Sequence, residues 1–171
     1  KEREREREGQ RDRHKERERE REMSGIAYRR VAKEIASFHD DPLEGIQLEE
    51  SESLEEVFVW ISGAEGTIYD GEQFRLRFRF PPQYPIESPE VMFVRPDVPE
   101  HSHVYSNGHI CLDILYDKWT PAFSMKTVCL SLQSMLSSAE SKSRPPDNDR
   151  YVASKQGSPK STNWWFHDEK C

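Results

Sequence analysis

Within residues 101–115, HSHVYSNGHICLDIL, a cysteine stands among groups able to move protons or hold charge: His101, His103, Asn107, His109 and Asp113. A thiolate is both a good nucleophile and a good leaving group, so Cys111 in such a setting can accept an acyl group and give it up again. The same residue also has a plainer reading, because free cysteine behaves as a small apolar side chain and is commonly buried. Three features favour chemistry. The run lies in a stretch without regular period, where function concentrates. Asn107-Gly108 can turn tightly with positive φ and present the next residues on a compact shelf. Polar groups are also dense around the thiol. Asn107 is equally readable as a turn residue only, and His101 as a core histidine bonded to backbone. A Cys-His pair also brings thiol proteases to mind, yet the local signatures of those families around the cysteine are missing. On chemistry alone, a thiol-based transferase and a binding module fit about equally.

The 171-residue chain is long enough for one domain with a real core. Residues 1–22 carry ten Lys/Arg against nine Asp/Glu, so the overall charge of −7 leaves about −8 on residues 23–171. An acidic body argues against nucleic acid as a partner, since neutralising phosphates takes clustered Lys and Arg. Cys111, Cys129 and Cys171 are odd in number and form neither a disulfide framework nor a metal-ligand spacing. That usage fits a reducing compartment. No run approaches the ~18–20 apolar residues of a membrane helix, and no signal-peptide hydrophobic region precedes the body. We therefore expect a soluble intracellular protein of the cytoplasm and nucleus, with no membrane partner.

The elements that must place Cys111 are legible as periods. The Glu-Arg repeat of 1–22 reads as a solvated, fraying helix, as disorder, as a charged arm, or as sequence ahead of a true start at Met23, and we leave it out of the fold. Tyr28, Val31, Ala32, Ile35 and Phe38 fall at helical spacing, with Ser24 placed to cap the helix and Asp41-Pro42 to end it. Strands are expected at 45–49, 57–63, 74–80 and 91–94. In FRLRFRF, Phe74, Leu76, Phe78 and Phe80 alternate with Arg75, Arg77 and Arg79, which predicts a sheet with one core face and one solvated face. Residues 95–120 show no regular period but hold Tyr105, Ile110, Leu112, Ile114 and Trp119, so they are expected to be ordered. Pro121 suits a helix start. Met125, Val128, Cys129, Leu132, Met135 and Leu136 make the next helical stripe, which assigns Cys129 to the core. SKSRPPDN (141–148) breaks that helix, a short helix or irregular tail follows, and the two tryptophans of WWFHDEKC are expected to dock on the body. The pattern is α+β. It divides into a charged tail at 1–22, a core domain at 23–148, and a C-terminal aromatic segment at 149–171 that is part of that domain or flexible.

From Met23 to about Asn148 the chain resembles the ubiquitin-conjugating enzymes. The ordered landmarks are a first helix ending in DDP, Trp60 in VFVW, GTIYDGEQF, FPPQYPIESPEVMF, YSNGHICLDIL and WTPAFSMKTVCLSLQSML. So many collinear motifs are far more specific than a lone pattern. HVYSNGHICL, RPPDN and the ending with two tryptophans, an aromatic residue, His-Asp and a terminal Cys are similar to the W-type branch of the family. The resemblance implies the family's fold: an N-terminal helix, a four-stranded antiparallel meander, a long ordered active-site loop, a central helix and a short or irregular C-terminal segment. It implies that Cys111 takes ubiquitin from an activating enzyme as a thioester and passes it to an amine. His101, His103, Asn107 and Asp113 would furnish the surrounding site, with Asp113 bordering the groove. RING or U-box ligases would dock on Arg29, Arg30, Lys33, Ile86, Pro121 and Ala122. No metal or cofactor is implied, because the activating enzyme consumes the ATP.

Two departures bear on the acceptor. Most of the family has His-Pro-Asn where this chain has His101-Ser102-His103, and the asparagine supports transfer to lysine. W-type enzymes share the histidine but keep the proline. The family's acidic residue beyond the second helix would fall near Ser143, where SKSRPP is basic, and Asp147 approaches only if the chain folds back. A peptide α-amine has a pKa of ~7.8 against ~10.4 for lysine, so near neutrality it is unprotonated several hundred-fold more often. A site lacking lysine-activating groups can still acylate N-termini, with His103 as weak base or donor. The W-type resemblance implies the same preference, with flexible protein N-termini as substrates. The competing readings are a lysine-directed enzyme, a conjugator of a ubiquitin-like modifier, and a non-catalytic ubiquitin-binding variant.

Overall fold

The alternation of FRLRFRF sets the central sheet. The computed structural model describes residues 25–50, 53–155 and 157–164. The charged tail 1–22, the Ser24 cap, the second tryptophan Trp165 and Cys171 lie outside the described residues. Four strands, β1 (Ile46–Leu48), β2 (Glu56–Ser62), β3 (Gln73–Arg79) and β4 (Glu90–Phe93), pair antiparallel in chain order. Val57, Val59, Ile61, Phe74, Leu76, Phe78, Val91 and Phe93 all point into the core. The opposite face carries the arginine row, and every one of these guanidinium groups is paired. Arg75 donates to both oxygens of Glu49, at 2.8 and 2.6 Å, and lies 4.0 Å over the Phe58 ring. Arg77 reaches Glu90 at 3.0 Å, and Arg79 reaches Glu56 at 3.1 Å. The row is therefore an ion-paired sheet surface and presents no open basic stripe.

Helix α1 (Gly25–Asp40) buries Ala27, Val31, Glu34 and Phe38. The buried face is rotated from the expected stripe, and Tyr28 is 55% exposed. Helix α2 (Met125–Ser137) starts later than Pro121 because Ser124 and Thr127 cap each other reciprocally, the Ser124 hydroxyl accepting from the Thr127 amide at 3.3 Å. Its stripe of Met125, Val128, Cys129, Leu132 and Leu136 packs into the core, and burial pushes the Cys129 thiol pKa up, as befits an inert core residue. A short helix α3 (Asn148–Ser154) and a 3₁₀ turn (Pro159–Ser161) follow. No helix among the described residues is long and apolar enough to cross a membrane.

One buried carboxylate ties these parts together. Glu34 accepts from Arg30 Nε at 2.5 Å, from the Tyr84 hydroxyl at 2.6 Å and from the Met125 amide at 2.7 Å, while Arg30 Nη2 donates to the Phe123 carbonyl at 2.8 Å. Removing one partner of a buried charged network leaves the others unsatisfied, which typically costs ~3–5 kcal/mol. Glu34→Ala is therefore expected to lower unfolding stability by about that much, and Tyr84→Phe by ~1.5–3 kcal/mol. Urea midpoints compared at constant m-value check both.

Candidate active site

The segment after β4 has no regular period, yet its backbone is laced like a small sheet. Phe93 donates its amide to the Gly108 carbonyl at 2.9 Å, Tyr105 to His109 at 2.9 Å and Cys111 to His103 at 2.8 Å. The reversal spans Tyr105 to Gly108, whose amide returns to the Tyr105 carbonyl at 2.8 Å. Gly108 has φ +92°, and a Cβ there would come within 2.0 Å of the Phe93 carbonyl oxygen, so both conformation and space demand glycine. The positive φ belongs to Gly108 and not to Asn107, since no residue other than glycine adopts one among the described residues. Asn107 contributes instead through its amide. Its Oδ1 accepts from the His109 amide at 3.2 Å, and its Nδ2 donates to the Lys155 carbonyl at 2.8 Å.

This lacing leaves Cys111 half-buried, with His103 on the paired stretch beside it. His101 is buried, and its Nδ1 accepts from the His103 amide at 3.0 Å. Burial first, and His103 second, push its pKa down to about 4, so at neutral pH it is an uncharged acceptor that holds the loop. The His101 and His103 ring centroids are 5.5 Å apart. Asp113 is buried at the start of a 3₁₀ turn (Asp113–Leu115) and pairs with Lys118 at 2.5 Å. His109 is also buried, its Nδ1 2.9 Å from the Tyr151 hydroxyl, and burial lowers its pKa.

The thiol loop has two different flanks. Against α2 lies a groove of about 550 Å³ whose walls include Ser102, His103, Leu112 and Leu130. On the other flank the C-terminal segment folds back. Tyr105 stacks on Tyr151 at 3.9 Å, and the first tryptophan, Trp164, lies 5.1 Å from Tyr116. The docking expected of Trp164 is thus present. Burial chiefly, with Cys111 as a lesser electrostatic contributor, pushes Tyr105, Tyr116 and Tyr151 upward in pKa, and the Tyr116 hydroxyl donates at 3.0 Å to the carbonyl of Ile110, the residue before the thiol. Asp147 does fold back, but its carboxylate accepts from the Tyr105 hydroxyl at 3.1 Å. Tyr151 and Tyr116 are members of this site that sequence reasoning misses. No periodicity marks them, and their only signal is aromatic density on both sides of the loop.

The residues nominated for ligase docking sit apart from the thiol, on α1 and two turns. Arg29, Lys33, Pro121 and Ala122 are exposed, and Ile86 is 78% exposed. Arg30 differs, since its guanidinium turns inward to Glu34 and the Phe123 carbonyl. Among the described residues, no group of three or more His, Cys, Asp or Glu is placed to hold a metal ion.

A four-stranded antiparallel meander with helices on its core side and a cysteine on a laced irregular loop is the architecture of a cysteine thioester transferase. The sequence profile of the ubiquitin-conjugating enzymes matches residues 30–165, and the chain belongs to that family. More particularly, it is 49% identical over 146 residues to the probable ubiquitin-conjugating enzyme E2 W-A of Danio rerio, covering 84% of this chain and 97% of that one. It is likewise 49% identical over 150 residues to ubiquitin-conjugating enzyme E2 W of Caenorhabditis elegans, covering 86% and 99%. Among solved structures it is similar to the ubiquitin-conjugating enzyme UbcA1 of Agrocybe aegerita, with TM-score 0.76 and 45% identity over 80% of this chain and 99% of the other. Enzymes of this family work with ubiquitin, an activating enzyme and ligases.

The loop's dependence on Gly108 is testable against a matched control. Gly66 has a similar φ of +76°, but a Cβ placed there would meet nothing within 4 Å. Gly66→Ala is expected to cost ~1 kcal/mol and leave thioester formation intact, whereas Gly108→Ala costs more and slows it. Melting curves and a charging time course read the two effects.

Proposed function

We propose that Cys111 carries ubiquitin as a thioester and delivers it to the α-amino group of flexible protein N-termini, in the cytoplasm and nucleus, with a RING or U-box ligase engaged on Arg29, Lys33, Ile86, Pro121 and Ala122. The single observation that supports this reading is the hydrogen bond from the Cys111 amide to the His103 carbonyl, which pairs the stretch carrying the thiol with the stretch carrying a histidine at the family's usual asparagine position. The amine nitrogen attacks the thioester carbonyl, the new N–C bond forms, and the C–S bond breaks to return the Cys111 thiolate. The surplus proton on nitrogen passes to the His103 imidazole or to water. Such a site has an imidazole but no fixed lysine base, and therefore favours the amine that is already unprotonated. An α-amine at ~7.8 meets that condition far more often than lysine at ~10.4. His101, Asn107 and Asp113 act as supports: His101 holds the His103 amide, Asn107 holds the turn and the C-terminal segment, and Asp113 fixes the chain just after the thiol.

Two measurements test this. Incubation with activating enzyme, ubiquitin and ATP is expected to give a thiol-reducible adduct in the wild type, in Cys129→Ala and in Cys171→Ala, and none in Cys111→Ala. An adduct on Cys111→Ala sinks the assignment. Charged enzyme is then mixed with either free lysine or a peptide whose lysines are blocked and whose α-amine is free. Faster discharge to the peptide is expected, and faster discharge to lysine overturns the α-amine preference.

A further inference from the structure

At three places in the chain a hydroxyl residue precedes proline, and the fold treats them differently. Ser88 is buried, its hydroxyl donating to the Leu115 carbonyl at 2.8 Å. Thr120 is exposed on the turn before α2. Ser158 is exposed as well, and it stands where the C-terminal segment latches onto the start of β4. Its hydroxyl donates to Glu90 and accepts from the Lys160 amide at 3.2 Å. Beside it Pro159 is buried, while Lys160 donates to the Ser88 carbonyl and to Glu87, the latter at 3.1 Å. Trp164 clasps the turn from the other end, its indole donating to the Pro159 carbonyl at 3.1 Å. The latch thus carries Trp164 onto Tyr105, Tyr116 and Tyr151, the aromatic flank of the thiol loop. Around Ser158 the charges are balanced. Arg77, Arg79 and Lys160 face Glu56, Glu87 and Glu90, three against three.

We infer that Ser158 is a phosphorylation site for a proline-directed protein kinase, and that its phosphate holds the latch open. The Ser158 hydroxyl oxygen attacks the γ-phosphorus of ATP. A new O–P bond forms as the bond to ADP breaks, and the hydroxyl proton passes to the kinase's base. The side chain thereby loses its donor and gains nearly two negative charges against Glu90. Each nearby cation already faces a carboxylate, so the added charge tips a balanced cluster toward repulsion. A kinase that reads the residue after the serine needs Pro159 free, whereas the latched Pro159 is buried at the start of a 3₁₀ turn. Modification therefore draws on the open state, and the phosphate then opposes closure. Ser88 offers no such route, because freeing it means opening the core, while the segment around Ser158 opens locally. This inference is independent of which amine Cys111 serves.

The test treats the full chain with a proline-directed kinase and ATP, places the label by tandem mass spectrometry, and reads the latch by amide hydrogen exchange. Label is expected at Ser158 and not at Ser88. Trp164→Ala, which removes the clasp on Pro159, is expected to be labelled severalfold faster. The Ser161 and Thr162 amides bond back to the Ser158 and Pro159 carbonyls, each at 3.1 Å, and so report closure. In the phosphorylated protein their exchange rises roughly tenfold, from a lost hydrogen bond and an added repulsion, while β2 and β3 stay as protected as before. Ser158→Ala loses the hydroxyl without gaining charge and shows a smaller rise. Glu90→Gln and added salt each weaken the effect of the phosphate. Absence of label at Ser158 overturns the inference, as does label without faster exchange. Ser158→Ala exchanging as fast as the phosphorylated protein overturns the role of charge, and an undiminished rise in Glu90→Gln overturns the role of Glu90. Labelling of Trp164→Ala no faster than wild type overturns capture of the open state.

Discussion

A charge buried among apolar side chains is tolerated only when its partners come with it, and Glu34 brings partners from three places. Arg30 lies one helical turn before it, Tyr84 comes from the proline-rich turn after β3, and Met125 begins α2. The relative placement of α1, that turn and α2 is thereby fixed at one point. α2 in turn supplies one wall of the groove beside Cys111, and Ile86, Pro121 and Ala122 lie within a few residues of the bonded positions. The surface nominated for ligases and the α2 wall of the groove along the thiol loop therefore hang from the same carboxylate. Hydrophobic burial supplies most of the driving force for folding, but it is non-directional, and this network adds directed bonds that tie α1, the turn after β3 and the start of α2 to one another.

The thiol loop solves a different problem. Long irregular segments usually stay at the surface because their backbone polar groups need partners. Here the partners are internal, through the Phe93–Gly108, Tyr105–His109 and Cys111–His103 bonds and the Arg144 guanidinium, which satisfies three carbonyls at once. The C-terminal segment closes the far side through Asn107, Asn148 and Tyr151. Cys111 thus rides on a rigid, half-exposed shelf, whereas Cys129, on a helix stripe, is sealed in the core. The same side chain is given opposite roles by the backbone that carries it.

Much of this is legible in the residues alone. The period of FRLRFRF places β3 to within a residue, and the stripe through Met125 and Leu136 places α2 and the inert Cys129. The α1 face departs from its apolar pattern because burial there includes Glu34, and no hydropathy pattern nominates a carboxylate whose partners lie 50 and 91 positions away. Pro121 suits a helix start because proline is tolerated there, but the reciprocal Ser124–Thr127 cap, made only of short polar side chains, governs instead. The candidate nucleophile is legible only through a resemblance spread over many motifs, since its immediate neighbours fit a core cysteine nearly as well. The direction in which Lys142 and Arg144 point depends on Glu72 and on the loop carbonyls, and charge counting along the chain carries no trace of it.

The bonds that lace the thiol loop run between main-chain groups, and main-chain groups are common to every residue but proline. Apart from Gly108 and the supporting side chains of His101, Asn107 and Arg144, the placement of the sulfur is therefore largely indifferent to which side chains the loop carries. Chemistry can be exchanged on such a shelf without moving it. A serine can stand where the family has proline, and a histidine where it has asparagine, with the carbonyl that receives the Cys111 amide unchanged. In this fold the path of the loop is carried by the backbone and its chemistry by a few replaceable side chains, so a change of chemistry on the shelf does not require a new architecture.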